Sequence, residues 1–587
     1  MKSFCLIMIL FSSLITALGQ ARNMYCNPLD ITYGLANDRR HAADPVIVLF
    51  KDKYYLFTTN DLAGYRVSDD LLNWKEVLFD AASAPLALNG KLTCAPAVAS
   101  DGNYLYFIKL NLDKTPQTAV LRTRDPERGV WEKCGQIRNV KDPCLYIEKG
   151  RYYLYHGLGA NYPIQCFELD PKTFTEIPGS NVFLKSEVTN LEGLAGGFER
   201  GRRELWDDID PAKWFGKFQM LPCPEGAWMT KHGNKYYLQY ATPGTVSTWY
   251  CDVAMVGDSP VGPFKMVDYN PVSMKVGGFV GSAGHSCVFQ DRYENWWRVT
   301  TMWIGVKDAF ERRLGLFPVV FDKDGRMLTM TKWGDYPHYM SQKKWSDTDL
   351  FRPEWQLISK GAKCYSSSSL PGHSPDLASD DNIRTWWSAV SGNAGEWLMM
   401  DLGAIYPLNA VQLNFAEEGT SPTINRHDDH YHWTLYGSAD SVNWTVIKDN
   451  NSDQSARPHH LIVPDEPTNY KYLKLKNLYV SSEGKFAVRD LRVFGTTKGK
   501  TPFPVADFKF VRDPGDSRNG TIKWNAVENT DGYLVNFGTS PTVLNNFIQI
   551  SDPNKTDLSL HVLMKDISYF FRIDTWNKSG VSIGKVH

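Results

Sequence analysis

The sequence predicts an all-β protein built as a five-bladed β-propeller followed by two β-sandwiches. Three observations lead there. Between residues 40 and 305 one pattern recurs five times: a short motif head, a few apolar residues, a polar turn, then an aromatic-rich alternating strand. After Trp333 that pattern gives way to a different run of short strands and turns. No segment carries long helical periodicity.

The copies read AADPVIVLFKDKYYLFTT, CAPAVASDGNYLYFIKL, KDPCLYIEKGRYYLYHG, PEGAWMTKHGNKYYLQYA and GHSCVFQDRYENWWRVTTMW. Their heads centre on Asp44, Ala95, Asp142, Glu225 and His285. Each head precedes two strand-like runs across a turn of Asp, Gly, Lys or Asn, which makes each copy a hairpin. Spacings of about 50 residues suit four-stranded propeller blades. The inner strand of every blade runs along the central channel, so equivalent positions converge at one mouth. Three heads are carboxylates and one is histidine. Gathering like charges is costly unless the site uses them, which marks Asp44, Asp142, Glu225 and His285 as a candidate cluster.

The second unit, residues 357–496, carries EWLMMDLG, NAVQLNF, YHWTLYGSAD, YKYLKLKNL and VRDLRVFG, a jelly-roll-like sandwich pattern. The linker TTKGKTPFP leads to a third unit, 503–587, with GTIKWNAV, GYLVNFGT and SYFFRIDTWN as strands of a smaller sandwich. Trp524 and Tyr569 are its expected core markers.

The first 19 residues combine a Lys, an apolar run and small residues at a cleavage-like position, and read as an export signal. The run is too short to span a bilayer, so a periplasmic or secreted protein without membrane insertion is expected. Cys26 follows Asn-Met-Tyr rather than a small residue, which disfavours lipidation. The remaining cysteines are scattered, with no CxxC pair, and indicate neither a disulfide framework nor a zinc site. Lys+Arg 64 against Asp+Glu 65 leaves a net charge of -1, which supplies no field for nucleic acid or an acidic membrane surface; a neutral partner fits better, and a monomer is expected.

The heads resemble the motifs of glycoside hydrolase family 43, the five-bladed propeller glycosidases, across residues 20–340. Ala43-Asp44-Pro45 is similar to the family's base motif, Ala95-Pro96 to its second-blade Ala-Pro, Lys141-Asp142-Pro143 to its third-blade Asp, and Glu225-Gly226 to its acid motif. Ser68-Asp69-Asp70-Leu71-Leu72-Asn73-Trp74 and Gly262-Pro263-Phe264 also match its signatures. Two departures stand out: Cys94 where Trp is usual, and an insertion from about 172 to 222 expected to wall the site. The second unit resembles discoidin (F5/8 type C) sugar-binding modules, through Ser379-Asp380-Asp381-Asn382, Thr385-Trp386-Trp387-Ser388, Asp401-Leu402-Gly403 and Asn443-Trp444. The third resembles fibronectin type III domains.

The resemblance implies an inverting, exo-acting glycosidase of plant cell-wall glycans, of α-L-arabinofuranosidase or β-xylosidase type. Asp44 is then the general base, Glu225 the general acid, and Asp142 an ionised neighbour that raises and orients Glu225. Trp228, Trp206 and Trp249 are candidate sugar platforms, and Arg312, or Arg313 beside it, a hydroxyl-binding cation. His285 either touches substrate or helps hold a structural calcium ion at the axis; no cofactor is required. The alternatives are an exo-β-galactosidase or galactanase on the same fold, a non-catalytic glycan-binding protein, and a retaining fructosidase-type enzyme. The last lacks its Trp-Met-Asn-Asp-Pro start here.

Overall fold

The computed structural model describes residues 23–36, 39–59, 63–88, 93–109, 116–159, 162–184, 223–346, 353–420, 430–481 and 483–587. The export signal and Trp206 lie outside them. Among the described residues the only α-helix is Ala84–Leu88, and no helix is long and apolar enough to cross a membrane. Apart from two 3-10 turns, Pro126–Arg128 and Pro375–Ala378, the other described elements are β-strands.

Five four-stranded antiparallel units follow one another, starting with inner strands Ala43–Phe50, Ala97–Ser100, Cys144–Glu148, Glu225–His232 and Gly281–Gln290. In each unit the second strand is an aromatic-rich stretch, as in Lys53–Thr59 and Trp296–Trp303. Both faces of these strands are buried between neighbouring units, which is why KYYLFTT and WWRVTTMW stay apolar and aromatic on alternate and intervening positions alike. Val182–Phe183 forms the outer strand of the third unit. The first part of the expected insertion therefore belongs to that unit, and the remainder, 185–222, lies outside the described residues. The N-terminal strand Met24–Tyr25 pairs with His338–Tyr339 and ties the start of the propeller to its end.

The second module is organised on the long strand Trp397–Phe415, which pairs with Lys363–Ser366, His459–Ile462, Thr468–Val480 and Ala487–Gly495. Leu398, Met400 and Leu402 alternate inward with Leu473, Leu475 and Trp433 around a common core. Trp387 is buried in that core, with its indole N–H donated to Ser368 O and Ser369 Oγ. The adjoining Trp386 points the other way, between Glu418 and the propeller's Lys307.

The third module stacks Phe508–Arg512, Gly520–Trp524 and Asp557–Leu560 on a sheet of Gly532–Gly538, Asn546–Ile550, Phe570–Asn577 and Gly580–Ser582. Trp524 meets Tyr533 edge-on in its core. The Tyr569 hydroxyl accepts the Met564 N–H at 2.9 Å, a tyrosine-corner contact. The propeller strand Val276–Gly277 adds to this sheet, pairing parallel with Asn546–Ile550.

One turn occurs twice. In Ser68–Trp74, Asp70 Oδ1 accepts the N–H groups of Leu72 and Asn73 at 2.9 and 2.7 Å, Leu71 is left-handed at φ 66°, and Trp74 Nε1 donates to Leu71 O. In Ser438–Trp444, Asp440 Oδ1 accepts from Val442 and Asn443 at 2.9 and 2.8 Å, Ser441 has φ 64°, and Trp444 Nε1 donates to Ser441 O. The shared Ser-x-Asp-x-x-Asn-Trp pattern is therefore a self-contained hairpin turn, satisfied by its own side chains.

Candidate active site

The five heads share a backbone conformation. Asp44, Ala95, Asp142 and His285 have φ of 50°, 38°, 44° and 50°, and in the fourth unit that place is taken by Gly226 at 59°. A left-handed residue costs a non-glycine about 1–3 kcal/mol and persists only where its surroundings enforce it. Here the strand register slips at the same places, between Ala43 and Val46, Glu225 and Trp228, and Gly284 and Cys287. Such a bulge re-aims a side chain. Glu225 thus sits one residue ahead of the position that the other heads occupy, a correction to the simple repeat alignment. The reason is steric: a Cβ on Gly226 would stand 2.5 Å from the His285 ring.

Neighbouring units lock the heads. The Asp44 N–H donates to Thr301 Oγ1 at 2.9 Å, Ala95 N–H to Thr59 Oγ1 at 2.7 Å, and His285 N–H to Asp252 Oδ1 at 2.9 Å. Thr59 in turn donates its hydroxyl to Asp44 Oδ2 at 2.6 Å. Asp252 is anchored by the buried Arg298 at 2.5 Å.

Around Asp44 Oδ1 lie His285 Nδ1 at 3.2 Å and Arg312 Nη1 at 3.4 Å. Burial pushes the Asp44 carboxyl up, but Arg312, His285 and the Thr59 hydroxyl together outweigh it and hold it below the usual range. Glu225 accepts the Tyr250 hydroxyl on Oε1 at 2.7 Å, with the Cys223 thiol 3.7 Å from Oε2. Its carboxyl is pushed up, first by burial and then by Asp44, against the opposing pull of His285, Tyr250 and Arg312. Asp142 is also pushed up, by burial and by repulsion from Glu225 and Asp44. An ionised Asp142 acting alone on Glu225 is therefore replaced by a buried pair in which both carboxyls resist ionisation, and which together favour holding a proton. His285 is raised overall: burial lowers it, and Asp44, Asp142, Glu225 and Asp252 more than compensate.

The remaining candidates separate. Arg312 reaches the site, whereas Arg313, on the opposite face of the same strand, donates to His459 of the second module at 2.9 Å. Trp228 is wedged between units, its indole donating to Val288 O at 3.1 Å and its ring packed against three apolar clusters. Trp249 is buried at the joint with the third module, edge-on to His561. Neither is placed as a sugar platform, because sequence alone does not say which face of a propeller strand a Trp occupies. Cys94 lies near Asp44 and Asp142, and burial followed by those two charges pushes its thiol up to about 12. Thr59, Tyr250 and Cys223 went unnoticed in the sequence; only Tyr250 carried a signal, as a polar-tipped aromatic entering a blade strand. Among the described residues no group of three or more His, Cys, Asp or Glu side chains is arranged to hold a metal ion. Calcium prefers six to eight oxygens, and His285 offers a nitrogen that already faces Asp44, so His285 does not fit a calcium ligand.

Residues 39–327 match the model of Glycosyl hydrolases family 43, over the five units and their carboxylates. The chain carries a family 43 glycosidase domain. It is an enzyme of O-glycosyl bonds. Residues 363–491 match the F5/8 type C domain. Solved structures similar to the chain include a glycoside hydrolase at 15% identity, covering 79% of this chain and 99% of its own, with TM-score 0.45. The GH43 BlXynB protein from Bacillus licheniformis follows at 13% identity, 80% and 99% coverage and TM-score 0.40. An exo-1,5-alpha-L-arabinanase from a bovine ruminal metagenomic library has 20% identity, 51% and 99% coverage and TM-score 0.37. No curated protein matches the chain. Within the family 43 domain, Asp44, Asp142, Glu225, His285 and Arg312 are brought together at one end of the inner strands.

Proposed function

We propose that the protein is an exported, inverting, exo-acting glycosidase of plant cell-wall glycans, of α-L-arabinofuranosidase or β-xylosidase type. The observation that carries this reading is the opposite tuning of two carboxyls at one mouth: Asp44 held low by Arg312 and His285, Glu225 pushed high by desolvation. Inversion needs that division of labour. Asp44, ionised, takes a proton from a water on one face of the sugar. Glu225, protonated, gives its proton to the departing glycosidic oxygen, and the bond between that oxygen and the anomeric carbon breaks as the water oxygen bonds from the opposite side. Afterwards Asp44 holds the proton and Glu225 is ionised; exchange with solvent restores both. Tyr250 fixes the Glu225 carboxyl, and desolvation, with the charge of Asp44, discourages its early ionisation. No step uses a cofactor. The apolar N-terminal run supports export, the third module's tyrosine corner supports a fibronectin type III-like spacer, and a monomer fits a mouth completed within one chain.

Release of nitrophenol from a panel of nitrophenyl α-L-arabinofuranoside, β-D-xyloside and β-D-galactoside tests the reading. Asp44→Asn and Glu225→Gln are expected to lower turnover by ~10²-fold or more, and the first-formed sugar is expected to have the inverted anomeric configuration. Near-native rates in the folded variants, or a retained anomer, would refute it. The galactoside arm tests the exo-β-galactosidase alternative.

A further inference from the structure

The sheet of the second module turns one face to its own core and the other outward. An antiparallel sheet buried on one side ordinarily carries polar residues on its outer side. Here Leu398, Met400, Leu473, Leu475 and Leu435 point into the core, so strand alternation sends Trp397, Met399, Lys474, Lys476 and Tyr436 to the outer face. One row crosses five strands of that face: Tyr365 pairs with Met399, Met399 with Lys474, Lys474 with Tyr436, and Tyr436 with Val446. The ends of the row are open, Tyr365 being 45% and Val446 53% exposed. Among the described residues, Tyr365, Trp397, Met399, Tyr436 and Trp444 belong to no apolar cluster of the molecule.

The charges on this face fall into two kinds. Lys363 and Lys471 are paired, with Asp376 at 3.0 Å and Asp401 at 3.8 Å. Among the described residues, Lys474 and Lys476 have no carboxylate partner. The Lys474 ammonium rests instead between two indoles, 4.7 Å from the Trp397 ring centroid and 5.7 Å from that of Trp444. Lys476 stands two residues further along the same strand, directly opposite Trp397.

We propose that this outer face is a binding surface for an extended polysaccharide that carries uronic acid units, its sugar rings lying on the aromatic residues and its carboxylates meeting Lys474 and Lys476. The inference goes beyond the proposed reaction, since none of these residues belongs to the mouth. Charge complementarity selects the occupant. The C–H face of a sugar ring is apolar and packs on Tyr and Trp rings, while a carboxylate makes charge-assisted hydrogen bonds to an ammonium that has no other acid to pair with. Three strand spacings separate Tyr365 from Tyr436, about 14 Å, so the row accepts more than one sugar unit of a single chain. A flat sheet, fixed by its own ladder before any ligand arrives, loses little freedom on docking.

The test uses the full chain, titrated calorimetrically with polygalacturonate and with glucuronoxylan, each beside its carboxyl-reduced form. At least one of the acidic polymers is expected to bind, and its carboxyl-reduced form ~10-fold more weakly or not at all. Trp397→Ala is expected to weaken binding ~10-fold. Lys474→Gln with Lys476→Gln is expected to weaken it comparably and to remove most of its salt dependence, with melting temperatures unchanged in both variants. Tyr436→Ala gives a second readout of the row should Trp397→Ala fail to fold. Failure to bind either acidic polymer overturns the proposal, as do equal affinities for the acidic and reduced forms, or native affinity in the folded variants. Sedimentation that shows a dimer of the native chain, lost in the Trp397→Ala variant, would assign the face to a second copy and overturn it as well.

Discussion

The Tyr250 hydroxyl donates to Glu225 Oε1 across 2.7 Å, on the carboxyl that the proposed reaction needs protonated. This bond favours the ionised form and so partly opposes the upward push of burial. Tyr250→Phe removes the opposition. The alkaline limb of the pH profile of kcat/KM is expected to move to higher pH, while kcat falls about 10-fold because the acid is less well oriented. An unshifted limb would show that Glu225 does not set it.

Arg312 acts on the other carboxyl. Burial raises Asp44, and Arg312 is the largest influence pulling it back down. Arg312→Met leaves burial less opposed, so Asp44 becomes harder to ionise and the acidic limb of the kcat/KM profile is expected to move to higher pH. A loss of kcat/KM on the order of 10²-fold accompanies it at pH 5. The measurement is a pH series on whichever nitrophenyl glycoside the native enzyme cleaves.

The buried carboxyl pair is also a liability for the fold. Asp142 and Glu225 have folded values raised above the unfolded ones, so between the unfolded carboxylate range, about 4, and their folded values the native state binds more protons than the unfolded state. Stability is then lost as pH rises through that window. Asp142→Asn is expected to raise the melting temperature at pH 7 by about 2 °C while lowering activity, with the gain vanishing near pH 4. Calorimetric scans at both pH values check the sign.

Glu417 of the F5/8 type C module gathers three arginines, Arg40 at 3.2 Å, Arg489 at 3.6 Å and Arg313 at 3.7 Å, in a region closed to solvent. Removing one charge from such a cluster leaves the others uncompensated, at a cost of about 3–5 kcal/mol. Glu417→Gln is expected to lower the melting temperature markedly. Chemical denaturation, followed by both tryptophan fluorescence and residual activity, reads the effect. Loss of activity ahead of fluorescence would mark the rim as the first part to give way.

Much of this was legible from the chain because propeller repeats align like positions. Asp44, Asp142 and His285 fell on equivalent heads. Glu225 was found through its motif, but its one-residue offset was not, since that depends on how closely the His285 ring approaches Gly226. Trp228 and Trp249 misled for a related reason: a propeller strand is buried on both faces, so an aromatic residue there carries no mark of facing the axis, a neighbouring blade or another module. Arg312 and Arg313 illustrate the converse, two adjacent identical residues separated in role only by the pleat. The Ser-x-Asp-x-x-Asn-Trp motif reads as a signature of two families and turns out to be a turn that closes on its own side chains.

The parallel pairing of Val276–Gly277 with Asn546–Ile550, and the apolar cluster in which Trp333 of the propeller meets Phe494 and Trp576 of the two sandwiches, have a bearing on how such a protein diversifies. Linker composition divides the chain into three exchangeable cassettes, but the physical seams run through sheets and sealed charge clusters. A cassette transplanted or deleted at a linker would expose a raw strand edge and orphaned arginines, so new specificities are more accessible through substitutions at the rim than through shuffling of whole modules.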